Sequence, residues 1–78
     1  MSVEEKIKEI MAEILEISAD DIEEDSAIGD FPNWDSLNHL KIISTIEKEF
    51  GIQFTPDVLM DIEDVSDIVK ATEDRRNQ

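Results

Sequence analysis

Seventy-eight residues with seven Lys/Arg against twenty-one Asp/Glu, a formal net charge of −14, describe one small acidic domain. That charge excludes nucleic acid and anionic membrane surfaces as partners, since both would repel the chain, and it favours partners with basic docking patches found by electrostatic steering. The lack of cysteine excludes disulfides and thiolate metal sites and fits a reducing cytoplasm, no apolar run approaches the length of a membrane span, and nothing resembles a signal peptide.

Glycine and proline are scarce, two of each, and no β-rich run competes with helix. Ser2 and Glu5 are spaced as a capping box, and Val3, Ile7, Ile10, Met11, Ile14 and Leu15 recur at three- and four-residue spacing. This predicts a first helix from Val3 to Ile17, with Glu4 and Lys8 paired on its wet face. Residues 18–35 then form a long acidic connection, in which Ile22, Ile28, Phe31 and Trp34 should tack the loop onto the helices.

Asp35 is a good N-cap and Gly51 a good stop, which predicts a second helix from Ser36 to Phe50. Its core face is expected to hold His39, Ile42, Ile43, Ile46 and Phe50, while Leu37, Leu40 and Ser44 lie on a separate stripe beginning beside Ser36. Thr55-Pro56 opens a short helix, with proline at the first position. Asp64 and Asp67 are spaced as a further capping box, ahead of a last helix striped by Val65, Ile68 and Val69. The expected fold is all-α: a small bundle of three main helices plus one short helix, with a long loop between the first two. It spans residues 1–73, followed by a frayed tail at residues 74–78.

Catalysis needs a nucleophile, a base and an orienting group. The single histidine, His39, stands three residues after Ser36 but belongs to the expected core stripe, and no glycine-rich loop supplies an oxyanion hole. No catalytic residues are therefore assigned. The run Asp21-x-Glu23-x-Asp25 begins like a calcium loop but places Ser26 where glycine is needed and Pro32 at the last ligand position, so no metal site is assigned. Ser36 reads better as an attachment point. A phosphate ester on its Oγ would lie at a helix N-terminus, where free N–H groups and the dipole favour an anion. Leu37 and Leu40 would offer a visiting enzyme an apolar foothold, and Trp34 would shape the approach.

Together these features resemble the acyl carrier and peptidyl carrier protein family over nearly the whole chain. The resemblance rests on the length, the acidity, the amphipathic first helix, Asp35-Ser36-Leu37 opening the second helix and Ile46-Glu47-x-Glu49-Phe50-Gly51-Ile52 closing it. It implies that Ser36 carries a 4′-phosphopantetheine arm, installed from coenzyme A by a phosphopantetheinyl transferase. The arm would hold an acyl or aminoacyl group as a thioester for loading and transferring enzymes, and the protein itself would be no enzyme. Docking would centre on Trp34, Asp35, Leu37, Leu40, Lys41 and Glu47. Asn33-Trp34 before the motif, and Lys41 and Lys48 within the second helix, resemble stand-alone carriers of specialised lipid, polyketide, peptide or surface-saccharide pathways more than the general fatty-acid carrier. A monomer is expected. The rival reading is an acidic adaptor of the same fold without the arm.

Overall fold

The structure, a computed structural model, describes residues 2–76. Four α-helices follow in chain order: α1 Val3–Leu15, α2 Ser36–Phe50, α3 Pro56–Asp61 and α4 Val65–Arg76. A single 3-10 turn, Ala19–Asp21, interrupts the α1–α2 loop. Helix α1 packs on both α2 and α4. Among the described residues the only β pairing is an isolated bridge between Ala27 and Asp64.

Each helix starts where a side chain satisfies a free backbone N–H. Ser2 Oγ accepts from Glu5 N–H at 3.1 Å, Asp35 Oδ1 from Asn38 N–H at 2.9 Å, Thr55 Oγ1 from Val58 N–H at 3.5 Å and Asp64 Oδ1 from Asp67 N–H at 2.9 Å. The Asp67 carboxylate returns the favour one residue further out than a capping box requires, accepting from Glu63 N–H at 3.0 Å. The Glu4–Lys8 pair forms at 3.8 Å.

The apolar stripes converge on one core. Ile7, Ile10, Met11 and Leu15 of α1 meet Ile42, Ile43 and Ile46 of α2 and Val65 and Ile68 of α4, closed by Ile22, Trp34, Phe54 and Ile62 from the connections. Fully burying one such side chain contributes about 1.5–3 kcal/mol, so this cluster holds the fold together. Thr72 is also fully buried; its hydroxyl donates to the Ile68 carbonyl at 2.8 Å, which removes the cost of placing it there.

Several expectations are corrected. Helix α1 ends at Leu15 rather than Ile17, because Glu16 adopts a left-handed conformation (φ 58°) and both its N–H and that of Ile17 turn back to the Ala12 carbonyl. Helix α4 continues through Arg76, so residues 74–76 are helical rather than frayed; Asn77 and Gln78 lie outside the described residues. The Arg76 guanidinium sits 5.4 Å from the Phe50 ring centroid, a cation–π contact that holds the end of α4 to the end of α2. Ile28 is exposed and does not anchor the loop, and His39 and Phe50 are only half-buried at the margins of the core. Ile22, Trp34 and Phe31 do pack on the core, and near Ile28 carbonyls anchor the loop: those of Ser26 and Glu24 accept from Val65 and Ser66 N–H at 3.0 and 2.9 Å, satisfying the start of α4.

The two left-handed helix ends give a direct test. Gly51 (φ 65°) closes α2, and a Cβ built there meets nothing within 4 Å, so Gly51→Ala adds only backbone strain and should lower stability by about 1 kcal/mol. Glu16→Gly should raise it by about 0.5–1 kcal/mol, by removing the same strain from α1. Urea denaturation followed by Trp34 fluorescence measures both; equal and unchanged midpoints would remove strain as the account of these ends.

Candidate functional site: the start of helix 2

The long loop reaches α2 through four consecutive residues with divided tasks. Trp34 is 1% exposed, with its backbone N–H bonded to the Phe31 carbonyl and its own carbonyl accepting from Gly29 N–H at 3.1 Å. Its ring stacks between Phe31 and His39, with centroids 6.4 and 6.2 Å away. Its indole Nε1–H donates to His39 Nδ1 at 3.2 Å, tying the loop to the first turn of the helix. Asn33 works on the other side: its Nδ2 donates to the Leu15 carbonyl at 2.9 Å, at the end of α1, while its own carbonyl accepts from Asn38 Nδ2 at 2.6 Å. Asp35 then caps the helix through Asn38.

Ser36 follows as the first residue of α2. It is exposed, and among the described residues its hydroxyl makes no hydrogen bond. The backbone N–H groups of Ser36 and Leu37 are also without partners there, because the Asp35 carboxylate is occupied by Asn38 and the His39 N–H bonds to the Asp35 carbonyl at 2.8 Å. A phosphodiester on Ser36 Oγ would meet those free donors and the positive end of the helix dipole. Leu37 and Leu40 are 75% and 60% exposed, far more than Ile42, Ile43 and Ile46, which separates an outer apolar pair from the core stripe.

Two residues expected in the docking surface serve the fold instead. Trp34 is enclosed and acts from beneath the surface. Glu47 is half-buried, and its Oε2 accepts from Phe54 N–H at 2.8 Å, fastening the connection that follows α2. Asp35 at the cap, Leu37 and Leu40 in the first turns and Lys41 beyond them are exposed. Sequence reasoning assigned no task to Asn33 or Asn38, although two asparagines flanking a capped serine are a readable sign of side-chain to backbone bonding. Met60, on α3, is a further apolar residue left 82% exposed, with no role expected of it. No three acidic or histidine side chains converge as a metal cage among the described residues, and none of the described helices is long and apolar enough to cross a membrane.

The model of the phosphopantetheine attachment site family matches residues 5–72, with Ser36 and its capped helix inside the matched span. The chain belongs to this carrier family. It is similar to the acyl carrier proteins of Chlamydia trachomatis (31% identity over 77 residues, 99% of this chain and all of the relative) and of Solidesulfovibrio magneticus (31% over 78 residues, all of both chains). The solution structure of the holo acyl carrier protein of Geobacter metallireducens superposes with a TM-score of 0.85 over 96% of this chain and 86% of that one; at 20% identity this likeness concerns the fold. As an acyl-carrier-like protein, the chain bears a covalent 4′-phosphopantetheine and carries groups rather than transforming them. A carrier of this type is served by a phosphopantetheinyl transferase and by acyl-handling enzymes.

The Trp34–His39 bond has a pH signature. Burial lowers the His39 pKa from its ordinary 6.5, and Nδ1 accepts a hydrogen bond only while it is unprotonated. A histidine depressed in the folded state contributes stability that is complete above 6.5 and is lost as pH falls through the lower folded value. His39→Asn keeps an acceptor near Nδ1 but cannot titrate. Between about pH 7.5 and about pH 5.5, the carrier should therefore lose more stability than this variant does, as read from paired urea midpoints. Identical pH profiles for the two proteins would show that the imidazole is not the titrating group.

Proposed function

We propose that Ser36 is the attachment residue of the phosphopantetheine arm, and that α2, with Leu37, Leu40 and Lys41 beside it, presents the arm to partner enzymes. One observation carries this: an exposed hydroxyl with no intramolecular hydrogen bond opens the helix whose first-turn N–H groups are still free. In loading, an Oγ–P bond forms at Ser36 as the pyrophosphate bond of coenzyme A breaks and 3′,5′-adenosine bisphosphate leaves, the hydroxyl proton passing to a base on the transferase. The arm's thiol then holds an acyl or aminoacyl group as a thioester, whose transfer is the work of other enzymes.

The surroundings of Ser36 support a dedicated carrier of lipid, polyketide, peptide or surface-saccharide synthesis, working as a monomer in the cytoplasm. Asn33 stands two residues before Asp35 and spans from α1 to α2, and Lys41 and Lys48 break the acidity of α2. Both features set the docking region apart from a generic acidic carrier helix.

Incubation of the apo protein with coenzyme A and a broad-specificity transferase should add the mass of one phosphopantetheinyl group, measured on the intact chain. Ser36→Ala should gain none while keeping its helical circular dichroism. An equal gain in that variant would move the arm to another residue; no gain in the unaltered chain would favour the adaptor without an arm.

A further inference from the structure

The outer face of α2 departs in charge from the rest of the molecule. Leu37, Leu40, Lys41, Ser44 and Lys48 are all exposed and recur at helical spacing, and none of the twenty-one acidic residues stands among them. The two glutamates of α2 are engaged by the fold: Glu47 by the Phe54 N–H, and Glu49 by Lys6, whose Nζ lies 3.8 Å from Oε2. Lys41 and Lys48 are not engaged. Among the described residues neither has a carboxylate within ion-pair distance, in a chain with three acids for every base. Lys48, in the last turn, complements the helix dipole; Lys41, in mid-helix, does not. Between them and the helix start lies a shallow recess of about 360 Å³ lined by Leu37, Asn38, Leu40, Lys41 and Ser44.

We propose that this face docks a protein surface that offers an apolar seat to Leu37 and Leu40, flanked by carboxylates opposite Lys41 and Lys48. The proposal rests on the reading of α2 as the arm-bearing helix and names the chemistry of the partner that reads it. It also reverses locally what the net charge implies, since −14 alone calls for a basic partner. The two scales are compatible. The field of the whole molecule is screened over about 8 Å at physiological ionic strength, whereas charges inside a contact are opposed directly. A partner with basic groups further out is steered in by the acidic loop, and its carboxylates then set the register on α2. A partner that places lysines or arginines opposite Lys41 and Lys48 is rejected by like-charge contact.

The test titrates the isotope-labelled full chain, without its arm, with two synthetic amphipathic helical peptides. They share one leucine face, flanked by glutamate in the first and by lysine in the second. The glutamate peptide should shift the amide resonances of Leu37, Leu40, Lys41, Ser44 and Lys48. Lys41→Glu with Lys48→Glu should weaken it by about fivefold or more and admit the lysine peptide to the same face, with Lys41→Gln and Lys48→Gln intermediate. The proposal is overturned if the glutamate peptide leaves those resonances unmoved, if it binds the charge-reversed chain as tightly, or if the lysine peptide occupies this face of the unaltered chain. Loading of Ser36 plays no part in this titration, so a failure here leaves the attachment reading standing, and a failure of loading leaves these shifts unaffected.

Discussion

The Trp34 indole is enclosed by the core while its Nε1–H reaches His39 one turn into α2, and this contact lets an irregular twenty-residue connection end at a defined point. As the proposed attachment residue, Ser36 would have to be held still by the protein yet stand in water. The loop meets both demands by burying the residue two positions before Ser36 and leaving Ser36 itself outside. Asn33 adds a second tether, to the end of α1, so the helix start is fixed from both flanking elements rather than by the cap alone. Side-chain to backbone bonds of this kind suit a segment that has no ladder of its own.

The same economy governs charge. With so many carboxylates in a small domain, repulsion is offset where an acid can accept a backbone N–H: Asp30 from Ala27, Asp35 from Asn38, Glu47 from Phe54, Asp64 from Asp67 and Asp67 from Glu63. These carboxylates act as caps and loop ties, while the remaining acids leave the surface negative. Helix α2 is distinct because its glutamates are drawn into the fold or to α1, which leaves its outer face to leucine and lysine. Surface character near Ser36 is thus decided by which acids the fold has occupied, not by composition.

Much of the fold was legible because the signals are local. A cap, a period of three to four and a stop residue located α2 to the residue, and Thr55-Pro56 and Asp64 placed the starts of α3 and α4. The misses have local causes too. Glu16 carries no sign that it will turn left-handed; where it does, the Leu15 carbonyl is met by Asn33 Nδ2 from eighteen residues away. The last turn of α4 looks too polar to persist, yet Arg76 stacks on Phe50 across the bundle. At the site, Ser36, Asp35, Leu37 and Leu40 were readable as a capped start with an outer stripe. Trp34 was readable as a loop anchor, and it is buried as expected, which takes it out of the docking surface; Glu47 was assigned to that surface, because nothing in its neighbours reveals that it bonds to Phe54.

The amino-acid sequence by itself determined the helices, their order, the serine at a capped helix start and the carrier-like frame around it, since each depends on residues within a few positions of one another. Tertiary structure alone decided that Ile28, among the apolar loop residues, is left exposed, where α1 and α4 end, and which charges of α2 are left without an ion-pair partner among the described residues. Those outcomes depend on contacts between segments far apart in the chain, where a hydrogen bond or a stacked ring overrides what the local pattern would choose.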